Sequence, residues 1–191
     1  MLIYIHGFNS SPASFKAQLL KAKLEALGRG VEFAAPALPH SPARAAALLD
    51  ALVVRHPGAA LVGSSLGGYY ATYLAEKHGL KAVLLNPAVR PYELLAPYVG
   101  RQRNFHTDED YDFTAQHIAE MRALDFDRIV PGRYLLITAT GDEVLDYRAA
   151  VECYRGSRQI VIHGSDHGLS DFGEYLETVL EFCGVSEPEK Y

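Results

Sequence analysis

Cysteine is scarce: the chain has two, Cys153 and Cys183, among 191 residues. They lie far apart, in no Cys-x-x-Cys or Cys/His ligand spacing, so neither a disulfide framework nor a zinc site is expected, and both read as core thiols. Long apolar runs are missing as well. No stretch approaches the length of a membrane span, and the chain opens directly on Leu2-Ile3-Tyr4-Ile5, without a basic n-region or an apolar h-region. The expected setting is therefore the reducing cytoplasm, with no membrane partner. Blocks of like charge are absent and the net charge is -5, a balance that argues against nucleic acid as a partner. No internal repeat, low-complexity segment or Gly-rich phosphate cradle appears. Asp108, Asp110 and Asp112 alternate as in a calcium loop, but Phe113 stands where the glycine belongs and Ala119 where the bidentate Glu belongs. His163 and His167 are four apart, yet they fall on a strand end and a loop rather than on one helix face. No metal or other cofactor is expected.

What the chain does contain is alternation. At 191 residues and 49% hydrophobic, it fits one domain that buries roughly 70% of its unfolded surface. Short, nearly continuous apolar runs at Leu2–Ile5, Val31–Ala35, Ala59–Val62, Lys81–Leu85, Tyr134–Ala139 and Gln159–Ile162 read as strands. Between them lie helical patterns at Pro12–Leu27, Ala43–Arg55, Leu66–His78, Tyr147–Tyr154 and Leu169–Phe182. In the first helix, Phe15, Leu19, Leu20, Lys23, Leu24 and Leu27 mark a mostly apolar face. The pattern predicts an α/β fold: a mostly parallel sheet with helices on both faces. From Ala88 to Gly132 the alternation lapses, apart from a helical stretch at Thr114–Leu124. This interval reads as a small lid-like insertion, residues 88–132 of a single domain spanning 1–191. The tail Ser186–Tyr191 is expected to fray.

Ligands of such sheets sit beyond the carboxyl ends of the strands, and the chemistry-bearing loops all follow strands. Gly63-Ser64-Ser65-Leu66-Gly67 lies between a strand and a helix, the context of a nucleophile elbow. A chance Gly-x-Ser-x-Gly arises in roughly one chain in fifteen of this size, so its weight comes from that context. Gly63 and Gly67 leave room where a Cβ would collide with the neighbouring strand or helix. Ser65 needs a base, and the base needs an orienting acid, in the order Ser, acid, His. Asp142, after the penultimate strand, and His167, after the last, fill that order. His163 is the rival base, and Glu143, Asp146 and Asp166 are rival acids; Asp146 also reads as a helix cap. The backbone N–H groups of Leu66 and Phe8 are the expected oxyanion donors. His6 would hold the Phe8 loop, unless His6-Gly7 is only a turn.

His6-Gly7-Phe8-Asn9-Ser10-Ser11, Gly63-Ser64-Ser65-Leu66-Gly67-Gly68-Tyr69-Tyr70-Ala71, Asn86-Pro87-Ala88, the stretch from Thr140 to Tyr147 and Gly164-Ser165-Asp166-His167 occur together in this order. In these five motifs the sequence resembles the small bacterial esterases of the YqiA/YcfP type, within the α/β-hydrolase superfamily. The resemblance implies a compact hydrolase lacking the first strands of the full fold, with Ser65, Asp142 and His167 as its triad. It also implies a small-molecule carboxylic ester as substrate, acyl thioesters included. In the insertion, Tyr92, Leu94, Leu95, Tyr98, Phe105 and Tyr111 are candidate pocket residues. A basic patch of Arg90, Arg101 and Arg103 would favour an acyl-coenzyme A thioesterase, the alternative activity. A non-catalytic hydrolase-like binding module is the alternative of another class, for which the triad should be incomplete.

Overall fold

Residues 1–104 and 107–185 are described by the computed structural model of the chain. The chain runs β1 (Leu2–Ile5), α1 (Phe15–Ala26), β2 (Phe33–Ala34), α2 (Pro42–Arg55), β3 (Ala60–Ser64), α3 (Leu66–His78), β4 (Ala82–Leu85) and α4 (Pro91–Leu94). It continues through β5 (Gly100–Arg103), β6 (Asp110–Phe113), α5 (Ala115–Arg122), β7 (Tyr134–Ala139), α6 (Tyr147–Cys153), β8 (Arg158–Ile162) and α7 (Leu176–Phe182). Six strands form one sheet in the order β2-β1-β3-β4-β7-β8, and every pairing in it is parallel.

Side-chain alternation explains why these strands are apolar throughout. Leu2, Tyr4, Val62, Val83, Leu85, Leu135 and Ile137 face one layer, packed with Leu20 and Leu24 of α1 and Val179 and Leu180 of α7. Ile3, Ile5, Leu61, Leu84 and Leu136 face the other, with Leu49 and Val53 of α2 and Tyr69 and Leu74 of α3. A strand covered on both faces has no polar side. Each such aliphatic side chain stabilises the fold by roughly 1.5–3 kcal/mol when fully buried. Register then assembles the site: Ile5 pairs with Gly63, Ser64 with Leu85 and Ala139 with Ile162. The loops after β1, β3, β4, β7 and β8 therefore emerge side by side.

Several expectations need correction. The second strand is two residues long, because Gly30–Glu32 forms a 3-10 turn. The last helix starts at Leu176, after a 3-10 turn at Phe172–Tyr175; Leu169 takes φ 50°, which a helix interior does not allow. The first helix starts at Phe15, whose side chain is 56% exposed, while Lys16 is buried in its place. The interval 88–132 contains an antiparallel hairpin, Gly100–Arg103 against Asp110–Phe113, that the sequence did not announce. The tail Ser186–Tyr191 lies outside the described residues.

Candidate active site

Ser65 stands between β3 and α3 at φ 55° and ψ -121°, a region that disfavours any side chain. The surrounding backbone over-determines it. Its N–H donates to the Leu85 carbonyl and its own carbonyl accepts from the N–H groups of Gly68 and Ala88. A Cβ on Gly63 would lie 2.3 Å from the Gly67 carbonyl oxygen, and one on Gly67 would lie 2.0 Å from that of Ile5. Both glycines are therefore required by close backbone approach. The hydroxyl is left free of the packing and reaches the ring of His167, with Oγ 3.2 Å from Nε2.

His167 is held from its far side. Its Nδ1 lies 3.0 Å and 2.9 Å from the two Asp142 carboxylate oxygens. An ionised carboxylate only accepts, so Nδ1 carries the proton and Nε2 is left as an acceptor for the Ser65 hydroxyl. The Asp142 side chain is 1% exposed and that of His167 23%. Burial alone would raise the Asp142 pKa. The hydrogen bonds from His167 and from the Leu145 and Val144 amides outweigh it, and hold the carboxyl below its ordinary value. Those amides both lie 2.8 Å from Asp142 Oδ1. The carboxylate is thus fixed by its own turn before it meets the imidazole.

The loop after β1 closes the other side of Ser65. A Cβ on Gly7 would approach the Ser65 Cβ to 3.2 Å, so a side chain there would crowd Ser65. Phe8 and Leu66 line a cleft together with Ser65 and His167. Neither the Phe8 nor the Leu66 N–H donates to another group among the described residues. His6 Nε2 accepts from the Leu38 N–H at 3.2 Å, which ties this loop to the one after β2, as expected of a loop-holding residue. The cleft has a volume of ≈ 330 Å³, and Pro91, Leu94, Leu95 and Tyr98 form one wall, Val144 and Leu145 another.

A family model matches residues 1–184. The chain belongs to UPF0227, an uncharacterised protein family. The UPF0227 protein YcfP of Salmonella paratyphi A is 24% identical over 188 residues, covering 95% of this chain and 98% of its own. A crystal structure from Agrobacterium vitis S4, of a protein provisionally named a hydrolase, is 19% identical with a TM-score of 0.77 over 95% of this chain and 87% of its own. Est1E of Butyrivibrio proteoclasticus is 18% identical, with a TM-score of 0.68 over 95% of this chain and 86% of its own. The fold of this UPF0227 chain is the α/β-hydrolase fold.

The rival acids of the UPF0227 chain have other partners. His163 is exposed, on the strand end. Glu143 accepts from the backbone N–H of His167 at 3.0 Å, supporting the loop rather than the ring. Asp146 accepts from the Arg148 N–H as the cap of α6. Asp166 accepts from Ser170 within its own turn. Of the pocket candidates, Leu94, Leu95 and Tyr98 line the cleft. Tyr92 does not: it is 5% exposed, packs in the core and donates its hydroxyl to Asp125 at 2.5 Å. Tyr111 donates to Asn9 Oδ1 at 2.6 Å, and Phe105 lies outside the described residues.

Sequence reasoning gave no role to two further residues at this site. Lys16, 8% exposed, donates to the Gly168 carbonyl at 2.5 Å. Burial pushes its pKa down to about 8, against the opposing pull of Asp166 and Asp142. Asn86, 2% exposed, bridges the strand that leads to Asp142 and the loop that carries His167. A lysine on an amphipathic helix has an ordinary surface reading and gave no signal; Asn86 stood out only as part of the Asn86-Pro87-Ala88 motif, which carried no role for its side chain.

Proposed function

We propose that this protein is a serine hydrolase of carboxylic esters, with Ser65 as nucleophile, His167 as base and Asp142 as the acid that orients it. The observation that carries the reading is the unbroken hydrogen-bond path from Ser65 Oγ through both imidazole nitrogens to Asp142, starting at a serine with positive φ. Ser65 Oγ attacks the ester carbonyl carbon while its proton passes to His167 Nε2. The carbonyl oxygen becomes an oxyanion facing the Leu66 and Phe8 amides. Collapse breaks the bond to the alcohol, which leaves with the proton from Nε2. Water then gives a proton to Nε2 and attacks the acyl carbon; the bond to Ser65 Oγ breaks, Nε2 returns the proton to that oxygen, and the carboxylic acid is released.

The cleft suggests the substrate class. Among the described residues, His167 and Tyr98 are the only ionisable groups of its lining, and apart from Asn9 and Gln102 its walls are mainly leucine, valine, proline and aromatic side chains. A neutral ester with a modest apolar acyl or aromatic group fits that surface. Est1E, which shares the fold, has been solved with ferulic acid bound, an aromatic acid of that kind. The interval 88–132 acts as a small lid over a single 1–191 domain, since it supplies Pro91, Leu94, Leu95, Tyr98 and Gln102 to the cleft.

The test is intact-protein mass spectrometry after treatment with a fluorophosphonate, then rates on p-nitrophenyl esters of increasing chain length and on acyl-coenzyme A. One adduct is expected, absent in Ser65→Ala, with the best rates on short to medium esters. A folded protein that takes no adduct and turns over no ester would leave the binding-module reading in its place.

A further inference from the structure

We infer that Asn86 is a positioning residue of the site: through it, the Leu85–Ala88 segment sets the distance between the nucleophile and its base. The inference rests on the hydrolase reading above. Asn86 follows β4 at φ 41°, a left-handed conformation that asparagine tolerates better than other side chains with a Cβ. Its N–H donates to the Ile137 carbonyl of β7. The side chain is then fully used. Oδ1 accepts from the Ala139 N–H at 2.9 Å and from the Thr138 hydroxyl at 3.1 Å. Nδ2 donates to the Asp166 carbonyl at 3.0 Å and to the His167 carbonyl at 3.1 Å. The Ala139 N–H can only donate, which fixes the orientation of the amide.

The same short segment grips the nucleophile. The Ser65 N–H donates to the Leu85 carbonyl and the Ala88 N–H donates to the Ser65 carbonyl, while Pro87 packs where a Cβ on Gly68 would sit. Four consecutive residues thus hold the Ser65 peptide with their backbone and the His167 peptide with one side chain. Lys16 and Glu143 hold neighbouring atoms of the His167 loop, but neither bonds to the Ser65 turn. Among the described residues, Asn86 is the one whose segment joins the two ends of the 3.2 Å contact between Ser65 and His167. A tether of this kind acts on proton transfer, which is steep in geometry, and leaves the apolar cleft that binds substrate unchanged.

The distinguishing variants are Asn86→Gly, which keeps the backbone conformation and removes the amide, and Asn86→Asp, which keeps the shape but turns an oxygen towards two carbonyls. Thr138→Val is the control, because it removes one donor to Oδ1 and leaves both Nδ2 bonds. The readouts are kcat and KM on a p-nitrophenyl ester well below each melting temperature, and the rate of fluorophosphonate labelling. Asn86→Gly should lower kcat and labelling about 10–100-fold with KM within about threefold, the pattern of lost positioning rather than lost binding. Thr138→Val should stay within about threefold of the wild type on the same scale. For Asn86→Asp, kcat relative to wild type should rise between about pH 8 and pH 5.5, as the new carboxyl is protonated and regains a donor. If Asn86→Gly does not fold, that pH profile decides alone. The proposal is overturned by a folded Asn86→Gly with wild-type kcat, or by an Asn86→Asp whose activity equals wild type across the range. Failure of the wild type itself to label would instead overturn the hydrolase reading, so the two failures are distinct.

Discussion

Replacing Asp142 by Asn tests the acid through a proton rather than through bulk. Asp142 Oδ1 accepts from the Val144 and Leu145 amides, both at 2.8 Å. In Asp142→Asn the new side-chain amide must keep its oxygen there, because the flipped form would set its NH2 against two N–H donors and leave both unsatisfied, at roughly 1–3 kcal/mol each. The NH2 then takes the place of the carboxylate oxygen that lies 2.9 Å from His167 Nδ1. Oδ1, 3.0 Å from Nδ1, already accepts from two amides, so the imidazole gains most by accepting from the new NH2 at Nδ1 and carrying its proton on Nε2, where it can no longer accept from Ser65. A wrong tautomer of this sort lowers kcat by about 10⁴, or about 5.5 kcal/mol of transition-state stabilisation. Asp146→Asn, by contrast, alters a helix cap away from the ring; it should leave kcat within about twofold and change stability by less than about 1 kcal/mol. Initial rates and thermal melts of both variants suffice. Full activity in Asp142→Asn with collapse in Asp146→Asn would move the acid and refute the tautomer argument.

Two further outcomes follow from packing and charge. Gly67→Ala would place a Cβ 2.0 Å from the Ile5 carbonyl oxygen, a backbone clash that only a shift of β1 or α3 relieves; a thermal melt should show a loss of about 3 kcal/mol or more, and a wild-type melt would mean the elbow is looser than described. The Asp142 carboxyl is held below its ordinary value in the folded chain, so the unfolded chain binds more protons as pH falls; this stability is present above about pH 4 and is lost below it, as pH falls through the folded value. Melting temperature between pH 6 and pH 3 should therefore fall more steeply for wild type than for Asp142→Asn, and parallel curves would contradict the sign.

The elbow was legible because everything that defines it is contiguous. Two glycines, a serine and the flanking strand and helix follow one another directly along the chain, and their requirement for close backbone approach is visible as residue type. That the Asp142 and His167 loops share an edge with Ser65 followed from alternation, since each strand delivers its next loop there; choosing these two residues over Glu143, Asp146, Asp166 and His163 took the order Ser, acid, His and the family resemblance. Tyr92 shows where that logic stops. It lies on a helix of four residues, too short for a hydrophobic face to be read, and only the packing decides that Leu95 turns to the cleft and Tyr92 to the core. Asn86 shows another limit: its partners are up to 81 positions away, and no local spacing records them.

The hairpin explains a pattern that resembled a calcium loop. Its strands carry too few apolar residues to show alternation, and what they carry instead is opposite charge on facing segments: Arg101 pairs with Asp110 and Arg103 with Asp108, each two positions before its register partner, Asp112 and Asp110. Two of the three alternating acids, Asp108 and Asp110, are partners for arginines of the facing strand. Exposed pairs of this kind are worth about 0–1 kcal/mol and would not by themselves keep a phosphate away. The count of charge matters more. Over residues 100–113 two arginines face four acids, Asp108, Glu109, Asp110 and Asp112. A hairpin with an excess of negative charge, fastened beside the cleft through Gln102 and Tyr111, would oppose a nucleotide polyphosphate approaching Ser65 from that side. Of the three arginines that suggested acyl-coenzyme A in the sequence, Arg101 and Arg103 are thus paired with acids and Arg90 lines another cleft with Glu93 and Asp125, which supports the proposal of a neutral ester.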